Sequence, residues 1–153
     1  MTAKRIEAVL RPASVAVVGA SDTPGSIGEV LCRNLREGGF RGPVFYVNPR
    51  HASIRDRPSY PDVRSLPQPV DVAIVATPPP TLPMVLEHCG ERGVRGAIIV
   101  SAGFREGGEA GAAWERSMLQ VARRYGLRLL GPNSFGVIRT DNGFNASCGA
   151  ALP

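Results

Sequence analysis

The chain has 153 residues, 43% of them apolar and 20% charged, and a formal net charge of +5. That is one domain's length, enough to bury roughly 70% of the surface the unfolded chain exposes, and no apolar run approaches the ~20 residues of a bilayer-crossing helix. Every basic residue except Lys4 is an arginine, scattered without aromatic interleaving, a balance that favours polyanionic ligands and argues against a nucleic-acid-binding tract.

Residues 1–12 carry an early basic pair and a short apolar patch interrupted by Glu7 and closed by Arg11. This is not the pattern of a signal peptide, and a helical lead-in is expected there. Ser14-Val-Ala-Val-Val-Gly19 then reads as a buried first strand. After a glycine-containing loop, Ser26-Ile-Gly-Glu29 has capping-box spacing, in which serine and glutamate satisfy backbone donors reciprocally. The helix that follows places Ile27, Val30, Leu31 and Leu35 on one face, and Gly38-Gly39 supplies a left-handed exit.

A second strand is predicted at Val44–Val47. The stretch from Pro49 to Pro69 holds five prolines and is read as a loop with a short helical or extended piece. Val70–Ala76 is a nearly continuous aliphatic run of the kind buried on both faces of a parallel sheet. Helices over Leu82–Arg92 and Glu109–Tyr125 flank a fourth strand, Ala97–Val100, and the second of them places Ala110, Ala113, Trp114, Val121, Ala122 and Tyr125 at helical spacing, so Trp114 is expected in the core. Leu127–Leu130 is a fifth strand, and Val137-Ile138 a short edge segment. Strands alternating with amphipathic helices specify α/β architecture with a parallel sheet.

Three cysteines, Cys32, Cys89 and Cys148, stand far apart with no partner at metal-ligand spacing, and are expected to be reduced structural thiols in a cytoplasmic protein. No metal site and no Ser/His/Asp arrangement is recognisable. His51 and His88 are read as surface or packing histidines.

In an open parallel sheet, ligands bind beyond the carboxyl ends of the strands. Each loop of unusual chemistry here follows a strand. Gly19–Gly28 is suited to cradle phosphate at a helix N-terminus, although a glycine turn is also a common structural device and the spacing GxxxxxGxxG departs from GxGxxG. The second strand ends in Asn48-Pro49-Arg50, with arginine where an NAD site places a carboxylate. This favours a ribose bearing its own phosphate, as in NADP or coenzyme A, over plain NAD, unless Arg50 is simply solvated. Thr77-Pro-Pro-Pro80 lacks the amides a phosphate cradle needs and suits an apolar wall. Asn133 could hydrogen-bond an amide-bearing ligand, but Gly-Pro-Asn is also an ordinary turn-former.

Read in order, Ser14–Ser21, Tyr46-Val-Asn-Pro49, Pro69–Ile74, Ile99–Phe104, Gly131–Gly136 and Gly143–Ala146 resemble the CoA-binding domain of NDP-forming acyl-CoA synthetases, relatives of the succinyl-CoA synthetase α subunit. The region also resembles the start of synthetase-like protein lysine acetyltransferases with a GNAT domain, where Asn34–Val44 matches too. The resemblance implies a single Rossmann-like, doubly wound domain with a core over 13–140 and a tail over 141–153 leading toward a following domain.

It further implies that Gly19, Ala20, Ser21, Ser26, Ile27 and Gly28 contact the phosphates of CoA or an acyl-CoA. Val47, Asn48, Pro49 and Arg50 would meet the adenosine and its 3′-phosphate. Ala76, Thr77, Pro78, Ser101, Ala102, Gly103 and Asn133 would line the path of pantetheine. Synthetases of this family use a phosphorylated histidine in a later domain, beyond Pro153, so these 153 residues are expected to bind CoA and to depend on the remaining synthetase domains or subunit for catalysis. An NADP-binding dehydrogenase domain and a regulatory CoA-sensing region are the alternatives.

Overall fold

A computed structural model describes residues 3–149. After helix α1 (Ala3–Leu10) come β1 (Val15–Val18), α2 (Ile27–Glu37), β2 (Val44–Val47), β3 (Ser53–Ile54), β4 (Arg57–Tyr60), β5 (Val72–Val75), α3 (Leu82–Glu91), β6 (Gly96–Ile99), α4 (Gly108–Tyr125), β7 (Arg128–Leu130), β8 (Gly136–Arg139) and β9 (Phe144–Ser147). Seven strands form one sheet in the order β3-β4-β2-β1-β5-β6-β7, parallel throughout except for the antiparallel β3–β4 pair. Setting β3 aside, the parallel strands run 3-2-1-4-5-6 by order of appearance, which is the doubly wound Rossmann-like arrangement. The four residues of β1 and of β5 are all buried, as their aliphatic runs require.

Alternation along β1 divides the core. Val15 and Val17 pack with Leu31, Cys32 and Leu35 of α2, while Ala16 and Val18 share the opposite side with Leu82, Leu86, Met118 and Ala122 of α3 and α4. Each large aliphatic side chain buried this way contributes about 1.5–3 kcal/mol. Because α2 and α3 leave β1 and β5 for opposite faces, a crevice opens between the carboxyl ends of those two strands.

Several expectations are amended. The proline-rich stretch holds a hairpin, β3–β4, and β4 extends the parallel sheet through Tyr46↔Ser59 and Val47↔Tyr60. Its tip residues Arg55 and Asp56 both have positive φ, 49° and 61°. Trp114 is 37% exposed rather than core: α4 turns Gly111, Met118, Val121 and Ala122 inward, and a Cβ on Gly111 would stand 1.8 Å from the Phe104 carbonyl oxygen, a contact that fixes the helix's facing where alanines could not. Only half the capping box forms. Ser26 Oγ accepts from the Glu29 amide (3.2 Å), but the Ser26 amide donates to Thr23 O and the buried Glu29 carboxylate turns to Arg55 (2.7 Å) and Arg33 (3.6 Å). Gly39, with φ +85°, makes the left-handed exit, whereas Gly38 stays helical.

Residues 141–149 contribute β9, whose four residues are all buried. Asn34 of α2 anchors this end of the chain by donating to Ser147 O (2.9 Å) and Gly149 O (2.7 Å). Residues 1–2 and 150–153 of the expected lead-in and tail lie outside the described residues.

Candidate functional site

The loop after β1 opens at Gly19, whose φ of +90° reverses the chain and whose amide is taken by Val47 O (2.9 Å). Room for a side chain is absent there, since a Cβ would lie 3.1 Å from Thr77 and 3.2 Å from the Ala76 backbone. Gly28 is tighter: a Cβ would stand 1.9 Å from Gly19 O, so α2 presses directly on the turn that feeds it. Gly25 has φ +80° and no neighbour within 4 Å of its Cβ position, leaving backbone open to solvent.

Several polar groups of this loop are committed internally. Ala20 is fully buried and its carbonyl accepts from Asn48 Nδ2 (2.8 Å). Ser21 Oγ accepts from the Thr23 amide (3.0 Å), and Ser26 Oγ donates to Thr23 O (2.8 Å). The amides of Ile27 and Gly28, in the first turn of α2, have no acceptor among the described residues. Those two donors, at the positive end of an eleven-residue helix, favour an anion, and the amides of Ala20, Asp22 and Gly25 likewise have no acceptor among the described residues.

Asn48 acts as a clamp on the site's loops. Besides holding Ala20, its Oδ1 accepts from the Arg50 amide (2.9 Å), and its own amide donates to Tyr60 O (2.9 Å). Arg50 is thereby fixed at its backbone while its side chain is exposed. The guanidinium takes part in none of the ion pairs among the described residues.

Next to it, a cavity of about 110 Å³ lies between the ends of β1, β2 and β4 and the flank of α3, with Val47 as floor and Pro49, Thr77, Met84 and His88 as walls. Met84 is 59% exposed, and neither it nor His88 was singled out as a site residue from the sequence. Their signal was the placement of Met84 and His88 one helical turn apart, off the inward face of α3. Asp62 also borders the cavity. Burial pushes its carboxyl up, but hydrogen bonds from the Ser65 hydroxyl and amide and the charge of Arg64 outweigh this and hold it below the usual carboxylate value.

The remaining sequence-chosen residues lie in the loops after β5, β6 and β7. Thr81 Oγ1 donates to the Pro78 carbonyl (2.6 Å) and accepts from Thr77 Oγ1 (2.6 Å), so the prolines start α3 through a 3-10 turn. Ser101 is buried and donates to Val75 O (3.3 Å). Its own carbonyl accepts from the Asn133 amide (2.8 Å), tying the loops after β6 and β7 together. Ala102 and Gly103 are exposed, but the Gly103 amide is taken by Glu106 Oε1 (2.6 Å). Asn133, exposed with φ +53°, presents its side-chain amide beyond this junction.

Comparison with known proteins matches residues 13–140 to a family model described as a CoA binding domain. The chain is 45% identical over 136 residues to an ADP-forming acetate-CoA ligase (II) of Archaeoglobus fulgidus, covering 89% of this chain and 20% of that protein. It is 43% identical over 148 residues to the α subunit of ADP-forming acetate-CoA ligase I of Pyrococcus furiosus, covering 94% of this chain and 32% of that subunit. Among solved structures, a dinucleotide-forming acetyl-coenzyme A synthetase 1 of Ca. Korarchaeum cryptofilum, in complex with phosphate and ADP, superposes with a TM-score of 0.87 at 37% identity, over 94% of this chain and 31% of that one. The chain thus spans between a fifth and a third of the length of these relatives.

Proposed function

We propose, from the premise that the chain belongs to the CoA-binding domain family, that it holds coenzyme A or an acyl-CoA across the carboxyl ends of its parallel strands. The observation that carries this reading is the unpaired, backbone-anchored Arg50 beside the apolar cavity at the end of β2. A carboxylate at that point would select unphosphorylated ribose; a guanidinium suits the 3′-phosphate.

In this reading the amides of Ile27 and Gly28 receive the pyrophosphate, with Gly25 allowing close approach. Adenine enters the cavity against Val47, Pro49 and Met84. Pantetheine runs past Thr77, Pro78, Ser101, Ala102 and Gly103 toward Asn133. Gly19, Ala20, Ser21, Ser26, Asn48 and Ala76 shape the site rather than touch the ligand through their side chains. Coenzyme A supplies a thiol, and no residue of this domain is assigned a catalytic role.

The names of the relatives support a place in ADP-forming ligation of an acid to CoA, with further domains or a partner subunit supplying phosphoryl transfer. The buried thiols of Cys32 and Cys89 suit a reducing, cytoplasmic setting, and no described helix is long and apolar enough to cross a membrane. Calorimetric titration with CoA, dephospho-CoA, NADP and NAD tests the ligand. CoA is expected to bind more tightly than NAD, and saturable NAD binding without CoA binding would overturn the assignment.

A further inference from the structure

A second cavity, of about 310 Å³, opens between α2 and the β2–β4 edge of the sheet, lined by residues that include Cys32, Arg36, Phe40, Arg41, Tyr46 and Arg57. It is separate from the coenzyme crevice. The register Tyr46↔Ser59 and Val47↔Tyr60 sets Arg57 level with Val44, at the amino end of β2, roughly 10 Å along the strand from the carboxyl end where the crevice begins.

Three guanidiniums line this cavity and no carboxylate does. Arg41 and Arg57 take part in no ion pair among the described residues, and Arg36 has only Glu37, 3.9 Å away. At the floor is Tyr46, 3% exposed. Burial, then the neighbouring Cys32 thiol, push its phenol up, and the charges of Arg57 and Arg36 oppose them. Cys32 is likewise pushed up, to about 11, by burial. Both groups stay protonated near neutrality, so the floor carries a neutral hydroxyl and the walls carry unneutralised positive charge.

We propose that this cavity binds a compact dianion of the phosphate class, held by Arg36, Arg41 and Arg57 with the Tyr46 hydroxyl beneath it. Guanidinium forks match the oxygens of phosphate bidentately, and three of them exceed what a single carboxylate can satisfy. The inference rests on the cavity alone and does not depend on the coenzyme reading.

The test is an NMR titration of the full 15N-labelled chain at 150 mM salt, following arginine side-chain and backbone amide signals, with excess CoA present and again without it. Inorganic phosphate and ribose 5-phosphate are added separately, distinguishing a free phosphate from a phosphate ester. Saturable shifts at Arg36, Arg41, Arg57 and the β2 amides, the same with and without CoA, are expected for at least one of the two. Arg57→Gln and Arg36→Gln should each weaken that binding about tenfold, with the amide spectrum unchanged as the check on folding. Tyr46→Phe, which keeps the buried ring, should weaken it by less. Equal, non-saturating shifts at all arginines would reduce the cavity to general surface charge and overturn the proposal. So would binding of a hexaglutamate peptide without binding of either phosphate, which would make it a protein-docking surface.

Discussion

Replacing Arg50 with alanine separates a phosphate contact from general positive potential. Asn48 fixes the backbone of Arg50 from one side and the Gly19–Gly28 loop from the other, so the substitution removes a guanidinium without releasing that loop. A hydrogen bond to a charged group contributes about 1.5–3 kcal/mol, and because the Arg50 side chain is exposed the lower end applies. CoA binding should therefore weaken about tenfold, while dephospho-CoA, which lacks the 3′-phosphate, should bind nearly as before. Arg50→Lys, keeping the charge but losing the fork, should fall between. Calorimetry with both ligands at low and moderate salt reads the difference directly. Equal weakening of both ligands, or of neither, would refute the contact. The neighbouring arginines offer no substitute: Arg55 is engaged by Glu29, and Arg57 stands at the amino end of β2.

Gly28→Ala places a Cβ where 1.9 Å separates it from Gly19 O; overpacking of this kind costs about 1–3 kcal/mol, so the melting temperature should fall by roughly 2–10 °C and CoA binding should weaken with it. Gly25→Ala meets nothing within 4 Å, so it should cost only the ~1–2 kcal/mol of an alanine at positive φ, and any larger loss of CoA affinity would locate ligand approach at that residue. Arg55→Ala leaves the Glu29 carboxylate, 4% exposed at its side chain, with only Arg33 at 3.6 Å, and should destabilise the domain by about 1–3 kcal/mol in urea unfolding; an unchanged midpoint would show the pair to be dispensable. Asp62 has a folded pKa lowered below its ordinary 3.8, so its contribution is complete above that value and lost as pH falls through the folded one. Asp62→Asn should accordingly lose less stability than the parent between pH 6 and pH 3, measured by urea midpoints at the two values.

The parallel sheet was legible because its strands announce themselves. Four-residue aliphatic runs such as Val15–Val18 and Val72–Val75 permit little but burial on both faces, and Gly126, left-handed at φ 65°, ends α4 where the sequence places the stop. The β3–β4 hairpin was hidden because its tip, Arg55-Asp56, adopts positive φ without the glycine or asparagine that marks such turns, and Arg55 is anchored instead by an ion pair to Glu29, far away in sequence. Burial of β9 was hidden for a similar reason: Asn34 hydrogen-bonds across |i−j| = 113 and 115, and no local periodicity encodes that. At the site, the loops could be read but not the use of each side chain. Asn48, chosen as a ligand contact, also braces the protein, its Nδ2 donating to Ala20 O and its Oδ1 accepting from the Arg50 amide, a role that nothing local in the sequence announces.

The departure from dinucleotide glycine spacing has a geometric resolution. In GxGxxG one short turn holds three glycines that reverse the chain, admit the pyrophosphate and allow the helix to pack on the strand. In the proposed reading the same tasks fall to Gly19, Gly25 and Gly28 in a longer loop. Gly19 makes the reversal at φ +90°, Gly28 takes the close packing, and Gly25 is the one with open space around it. The intervening Ser21–Pro24 segment closes on itself through the Thr23 hydrogen bonds to Ser21 and Ser26, so the added length is a braced rim and not slack. A motif search counts intervals and rejects this loop, whereas physical chemistry asks only that a turn, an approach and a packing contact each have a residue without a side chain. Three glycines stand where the proposed reading needs them, and the loop ends at the amides of Ile27 and Gly28, which have no acceptor among the described residues and where, in that reading, a pyrophosphate completes the first turn of α2.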